Sequence, residues 1–411
     1  MLLYWVWLSR LPHLQNWQKL SLLQQFHDPE ELYNASLRAL SQKNIVDPTV
    51  QKALLQKDLT EARQILKDCA EKHIRILPLE NRDYPNRLRN TQDPPLVLYC
   101  LGRLPAFEEQ PVIGVVGTRK STSYGMTVAK RFSAQIAACG GVVVSGGANG
   151  IDTMALEGAL ACGKPLVAVL AGGLDIPYPK NNASLFARIL KTGCLLSEHP
   201  PGTPHNKWHF PLRNRIISGL SNGVLVVEAP AVSGALITAR KALEQGRDVF
   251  AVPGNIDVEA CAGSNALLQG QATPVFSGWD VMKEYLPLYP GKVTRTDAPA
   301  DILTVESAPV AKLAETVRRP KIEKPTKFPI DNQEKSTYSV IDNPLPLLTE
   351  EENAIVSQLS ASPKAVDAVI ANAGIAPNRV LSLLTMLAVK GVIENHPGRQ
   401  VSLKIRSGGK K

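Results

Sequence analysis

Lys207, Arg213 and Arg215 fall within nine positions of the stretch KWHFPLRNRI (207–216), with the rings of Trp208 and Phe210 among them. A second basic cluster, GTRK (117–120), carries Arg119 beside Gly117 and Thr118, and Lys180 follows a Tyr-Pro pair in GLDIPYPKNN. Guanidinium and ammonium groups share one chemistry, the binding of phosphate oxygens. Rings placed beside them suit unpaired bases, which stack at about 1–3 kcal/mol each. Both clusters lack counter-charges. No acidic residue occurs between Glu109 and Asp152, nor between Glu198 and Glu228. The 37 acidic residues of this 411-residue chain would otherwise fall about one in eleven, so both stretches are depleted.

Each residue also has a plainer role open to it. Trp208 and Phe210 could anchor an irregular loop in the core. One arginine of the RNR triplet could pair with a buried carboxylate such as Glu228 and hold that loop. Lys180 alone reads as a solvated surface residue.

These residues need a frame, and apolar β-branched runs supply it. PVIGVVG, GVVVSGG, PLVAVLAGG, CLLSE, GVLVVEA and DVFAVPG recur between residues 111 and 285, most of them separated by helical segments. Runs that are continuously apolar belong to strands buried on both faces. The alternation predicts an α/β fold, a Rossmann-like doubly wound parallel sheet. Ligands of such sheets bind at the carboxyl ends of strands. Four loops lie there: GTRKSTSYG before a helix starting near Ser123, SGGANGID before one near Ile151, GGLDIPYPKNN with Lys180 at a helix start, and EAPAVSG with Ser233 and Gly234 at another. A helix N-terminus with a hydroxyl and a guanidinium makes a phosphate site. GxGxxG and the P-loop pattern are both absent, which argues against hydride transfer and nucleotide hydrolysis.

Outside that region, residues 1–75 read as a small all-α domain whose short helices break at HDPE and VDP. Residues 76–110 read as an extended connection ending in an edge strand. Residues 286–345, rich in proline and dispersed charge, read as a linker. Residues 346–405 carry three helical patterns and a hairpin around Pro397-Gly398, with Thr349 and Glu352 as a capping box. That order describes a C-terminal winged helix.

Composition narrows the class. The net charge of +9 favours polyanionic partners. Six dispersed cysteines without CxxC read as reduced structural thiols, with no metal site. MLLYWVWLSRL lacks a basic leader region and a small-residue cleavage site, and no apolar run reaches about twenty residues. The expectation is a cytoplasmic protein with no membrane contact.

Taken in order, VVGTRKSTSYG, VVSGGANGID, GLDIPYPKNN, LLSEHPPGTPHNKWHFPLRNRIISGLS, VLVVEAPAVSGALITA and GRDVFAVPGN resemble the DNA-processing protein A (DprA/Smf) family. The resemblance implies a SAM-like helical N-terminus, a Rossmann-like domain that binds single-stranded DNA, homodimers, and loading of the recombinase RecA during natural transformation. It implies no catalytic activity, catalytic residue, metal or cofactor. By residue, it assigns DNA contact to Gly117, Thr118 and Arg119 of a G-S/T-R motif, and to Lys180, Lys207, Phe210, Arg213 and Arg215. Trp208 replaces a usual phenylalanine, PAVSG lacks a basic residue common before Ser-Gly, and LTMLAVKG departs in the winged helix.

Two other readings carry their own expectations. A nucleoside monophosphate base-releasing enzyme on the same fold would use carboxylates among Glu198, Glu228, Asp152 and Asp175, all at strand ends. A transcription factor would read duplex DNA through Asn378, Arg379 and Lys390.

Overall fold

A computed structural model describes residues 1–297, apart from 44 and 46, and parts of 350–403. The chain divides into two compact units, Met1–Glu315 and Thr316–Lys411. Expectations at 298–345, Thr349, Asn378, Arg379, Lys390 and the Pro397-Gly398 turn lie outside the described residues.

The first unit opens with six short helices: α1 (Leu2–Arg10), α2 (Asn16–Gln25), α3 (Pro29–Asn34), α4 (Leu37–Gln42), α5 (Pro48–Leu54) and α6 (Thr60–Glu71). The two Asp-Pro breaks start helices. Asp28 and Asp47 are N-caps whose carboxylates accept from the next two free backbone N–H groups, and Pro29 and Pro48 occupy first-turn positions that need no donor.

The sheet has nine strands among the described residues: β1 (Arg75–Pro78), β2 (Val97–Gly102), β3 (Val112–Val116), β4 (Val142–Ser145), β5 (Leu166–Val169), β6 (Cys194–Ser197), β7 (Gly223–Val226), β8 (Asp248–Ala251) and β9 (Thr273–Pro274). Their spatial order is β1-β2-β6-β5-β4-β3-β7-β8-β9. From β6 to β8 in that order every pairing is parallel, as the six apolar runs predict, and β9, which no run announced, adds in parallel beside β8. The extended connection departs from expectation. Its two apolar runs form an antiparallel pair, and β2 also pairs with β6, so β2 lies inside the sheet and β1 holds the edge.

Helices cover both faces. The short α7 (Asn86–Arg89) lies between β1 and β2 in the chain; α8 (Ser123–Ala138), α9 (Ile151–Ala161) and α10 (Ala183–Ile189) lie on one face, and α11 (His209–Leu220) and α12 (Gly234–Glu244) on the other. Strand alternation divides the cores. Ile113 and Val115 pack with Val128, Phe132 and Ile136 of α8, the face expected of that helix. Val112 and Val116 pack with Ile216, Ile217 and Leu220 of α11. β3 connects to β4 on one side, while β7 pairs on its other side. The order therefore reverses between β3 and β7.

In the second unit, helices Glu350–Val356 and Val366–Asn372 share a core with the strand pair Ile393–His396 and Gln400–Leu403. Lys364–Ala365 adds a third strand beside Gln400–Leu403. Ile355, Val369, Leu383, Leu387 and Val401 are buried there.

Candidate nucleic-acid interface

Where the strand order reverses, the loops after neighbouring strands diverge and leave a crevice, the usual ligand position in open α/β sheets. Here the crevice has a volume of about 290 Å³ and lies between Gly117–Lys120 after β3, Pro230–Gly234 before α12, and Phe210, Arg213 and Asn214 of α11. The two basic clusters of the sequence meet at its edge. The Arg119 guanidinium sits 4.7 Å from the centroid of the Phe210 ring. Tyr178, 5.8 Å from Phe210, and His205, 5.0 Å from Tyr178, complete an aromatic group. Sequence reasoning used IPYPK for its lysine and missed Tyr178 and His205. Tyr178, directly before the Pro-Lys pair, was the available signal.

Arg119, Lys120, Lys180 and Lys207 are exposed, and none forms an ion pair with the described residues. Lys180 opens the turn Lys180–Asn182, which is tied to the glycine loop. Asn182 donates to the Gly147 carbonyl at 3.0 Å and Asn181 to Asn149 Oδ1 at 3.0 Å. Among the described residues the only carboxylate lining the crevice is that of Asp152, which is buried.

KWHFPLRNRI is not an irregular loop. Helix α11 begins at His209, and Pro211 is tolerated because first-turn residues have no N–H partner to lose. The His209 ring stacks on His199 at 4.0 Å and its Nδ1 meets the Ala171 carbonyl at 3.1 Å, which anchors the helix start. Trp208 is 78% exposed and anchors no core. Phe210 is half-buried.

Both RNR arginines point inward. Arg213, 6% exposed, donates through Nη1 to the carbonyls of Gly146 and Val169 and through Nε to Asn214 Oδ1 at 3.2 Å. Gly146 makes this possible, since a Cβ there would stand 2.2 Å from Arg213 Nη1. Burial pulls the Arg213 pKa down to about 10 against the opposing attraction of Asp152. Burial raises Asp152, again against Arg213. Arg215, 7% exposed, bridges Asp93 Oδ2 and Glu198 Oε1, each at 2.7 Å. Burial works against its charge, yet those two carboxylates prevail and raise its pKa. Its partners are thus Asp93 and Glu198, not Glu228.

Glu228 is fully buried at the start of α8, where it holds the N-cap residue Thr122, whose own Oγ1 accepts from Gly125 N. Thr122 donates to its carboxylate through N at 3.0 Å and through Oγ1 at 2.5 Å. The phosphate site expected at that helix start is filled from within by this carboxylate. Thr118 is also largely internal. Its N–H donates to the Glu228 carbonyl at 2.7 Å, and its Oγ1 accepts from Lys120 N at 3.2 Å. Gly117 lies against Ile151, where a Cβ would come within 2.5 Å of Cγ1. Gly117 and Thr118 therefore shape the loop that presents Arg119. Ser233 caps α12 by accepting from Ala235 N at 3.2 Å.

The four carboxylates of the enzyme reading are all engaged. Glu198 holds Arg215, Glu228 holds the α8 N-cap residue Thr122, Asp152 accepts from Ala148 N at 3.3 Å, and Asp175 binds Lys72 at 2.5 Å and Gly202 N at 2.9 Å. Among the described residues no group of His, Cys, Asp and Glu could hold a metal, and no helix is long and apolar enough to cross a membrane.

Comparison with known proteins agrees with this geometry. Residues 75–286 match the family DNA recombination-mediator protein A, and residues 342–399 match the DprA winged helix domain. Protein Smf of Synechocystis sp. is 33% identical over 358 residues, covering 85% of each chain. DNA processing protein DprA of Bacillus subtilis is 42% identical over 221 residues, 54% of this chain and 74% of that protein. The X-ray structure of DNA processing protein A from Streptococcus pneumoniae superposes with a TM-score of 0.61 at 33% identity, covering 69% of this chain and 98% of that one. With its sheet, crevice and both domain matches in agreement, the chain belongs to the DprA/Smf family.

Proposed function

We propose that this protein binds single-stranded DNA at the switch-point crevice and serves DNA recombination without catalysing a reaction itself. One observation carries the reading: four exposed cations that form no ion pair with the described residues stand on the loops around a crevice edged by aromatic rings. A phosphate backbone supplies the missing anions, and splayed bases use the rings. Arg119, Lys180 and Lys207 contact phosphates. Phe210 supports Arg119 and offers its ring edge. Gly117 and Thr118 set the loop, while Arg213 and Arg215 brace α11 from inside.

The finer reading is supported by family membership. The protein acts in the cytoplasm as a homodimer, shields incoming single strands, and loads RecA onto them during natural transformation. A gel shift comparing a single-stranded oligonucleotide with its duplex tests DNA choice. A RecA filament-assembly assay with and without the protein tests loading. Base release from nucleoside monophosphates by purified protein would reinstate the enzyme reading.

A further inference from the structure

Phe210 was the natural candidate for base stacking, but its surroundings are already occupied. Arg119 covers the ring at 4.7 Å, and Tyr178 and His205 lie at 5.8 and 6.5 Å. His209 is committed to His199 and to the Ala171 carbonyl. Trp208, between Lys207 and His209, differs from both. Its indole is 78% exposed, contacts no other ring among the described residues, and its Nε1 donates no hydrogen bond to them.

We propose that Trp208 is the stacking platform for a base of the bound strand, placed beside the phosphate contact of Lys207. The proposal rests on the single-strand reading above. Three features favour a base over other occupants. The surrounding segment from His199 to Val227 contains no acidic residue, so the segment itself sets no carboxylate against an approaching phosphate. The platform is preorganised, because anchored His209 and half-buried Phe210 fix the backbone on the helical side. Lys207 is exposed on the adjoining residue, which suits one nucleotide's base and phosphate together.

The other tryptophans make the test clean. Trp5 and Trp7 are buried and donate to Glu80 and to the Gln56 carbonyl, Trp279 packs near Arg295, and Trp17 is exposed on α2 in the N-terminal helices. Quenching by a stacked base is therefore expected from Trp208.

The experiment titrates the full chain with a 20-nucleotide oligo-dT and with an abasic oligonucleotide of equal length. It follows tryptophan emission together with the anisotropy of the labelled strand. Oligo-dT should quench the wild type. W208F should lose most of the quench while keeping affinity within about threefold, since a ring remains to stack. W208A should bind oligo-dT at least about fivefold more weakly, with its salt slope unchanged and its affinity for the abasic strand equal to wild type. Equal oligo-dT affinity in W208A and wild type, while Arg119→Ala weakens binding, would overturn the platform and leave the groove standing. A quench that persists in W208F would do the same. Absence of oligo-dT binding by the wild type would overturn the groove itself. W208A should fold normally because the indole is 78% exposed and little is lost from the core when it is removed.

Discussion

Single side chains around the crevice divide into groups that face solvent and groups that face inward, and the two should fail differently. Arg119→Ala or Lys207→Ala removes an unpaired exposed cation. Each should weaken single-strand binding about tenfold and lower the log–log salt slope by about 0.7, the value for one phosphate contact on a single strand. Filter binding at several salt concentrations measures both. Phe210→Ala should weaken binding with the slope nearly unchanged, because no charge is lost. Arg215→Ala should act on the fold instead. It strands Glu198 and Asp93 beside a vacated guanidinium site, and urea denaturation should show a loss of about 2–4 kcal/mol. This division was only half legible. The depleted acids pointed to Arg119 and Lys207, both of which are exposed, since missing counter-charge is visible along the chain. The burial of Arg213 and Arg215 was not, because their partners Gly146, Val169 and Asp93 come from distant segments.

At the scale of elements, the site depends on how tightly three loops are tied to helix starts. Gly146 admits the Arg213 guanidinium between β4 and β5. Gly146→Ala places a Cβ on that group, so it should destabilise the protein by about 2–4 kcal/mol and weaken DNA binding through displacement of α11. A thermal melt combined with anisotropy separates the two effects. Helix α11 itself was misread as a loop because a proline at its third residue and a run of polar residues mimic irregular chain. The free N–H groups of a first turn make that proline harmless. Strands β3 to β8 were readable because continuous apolar runs leave few alternatives, whereas the two-residue β9 carries no such run. β2, expected at the sheet edge, lies inside it, since its antiparallel pairing with β6 joins residues as far apart in the chain as Tyr99 and Ser197.

Across the whole molecule, the fold should respond to acid through partly buried groups held neutral beside α11. His199 is the clearest. Burial, the adjacent His209 ring and nearby arginines lower its pKa from 6.5 to about 3. The unfolded chain takes up a proton there below pH 6.5, while the folded chain does so only near pH 3. Stability from this group is therefore fully present above pH 6.5 and falls as pH drops through that window, by about 1.4 kcal/mol at pH 5.5. His199→Phe should flatten the pH dependence of the melting temperature over that range. The central claim, however, is that unpaired cations and rings at the switch point serve single-stranded DNA. A gel shift with a single-stranded oligonucleotide and its duplex, run side by side at increasing salt, tests it most directly. The single strand should bind at least about tenfold tighter, with affinity falling linearly on a log–log salt plot. Equal or stronger binding of the duplex, or single-strand affinity indifferent to salt, would contradict it.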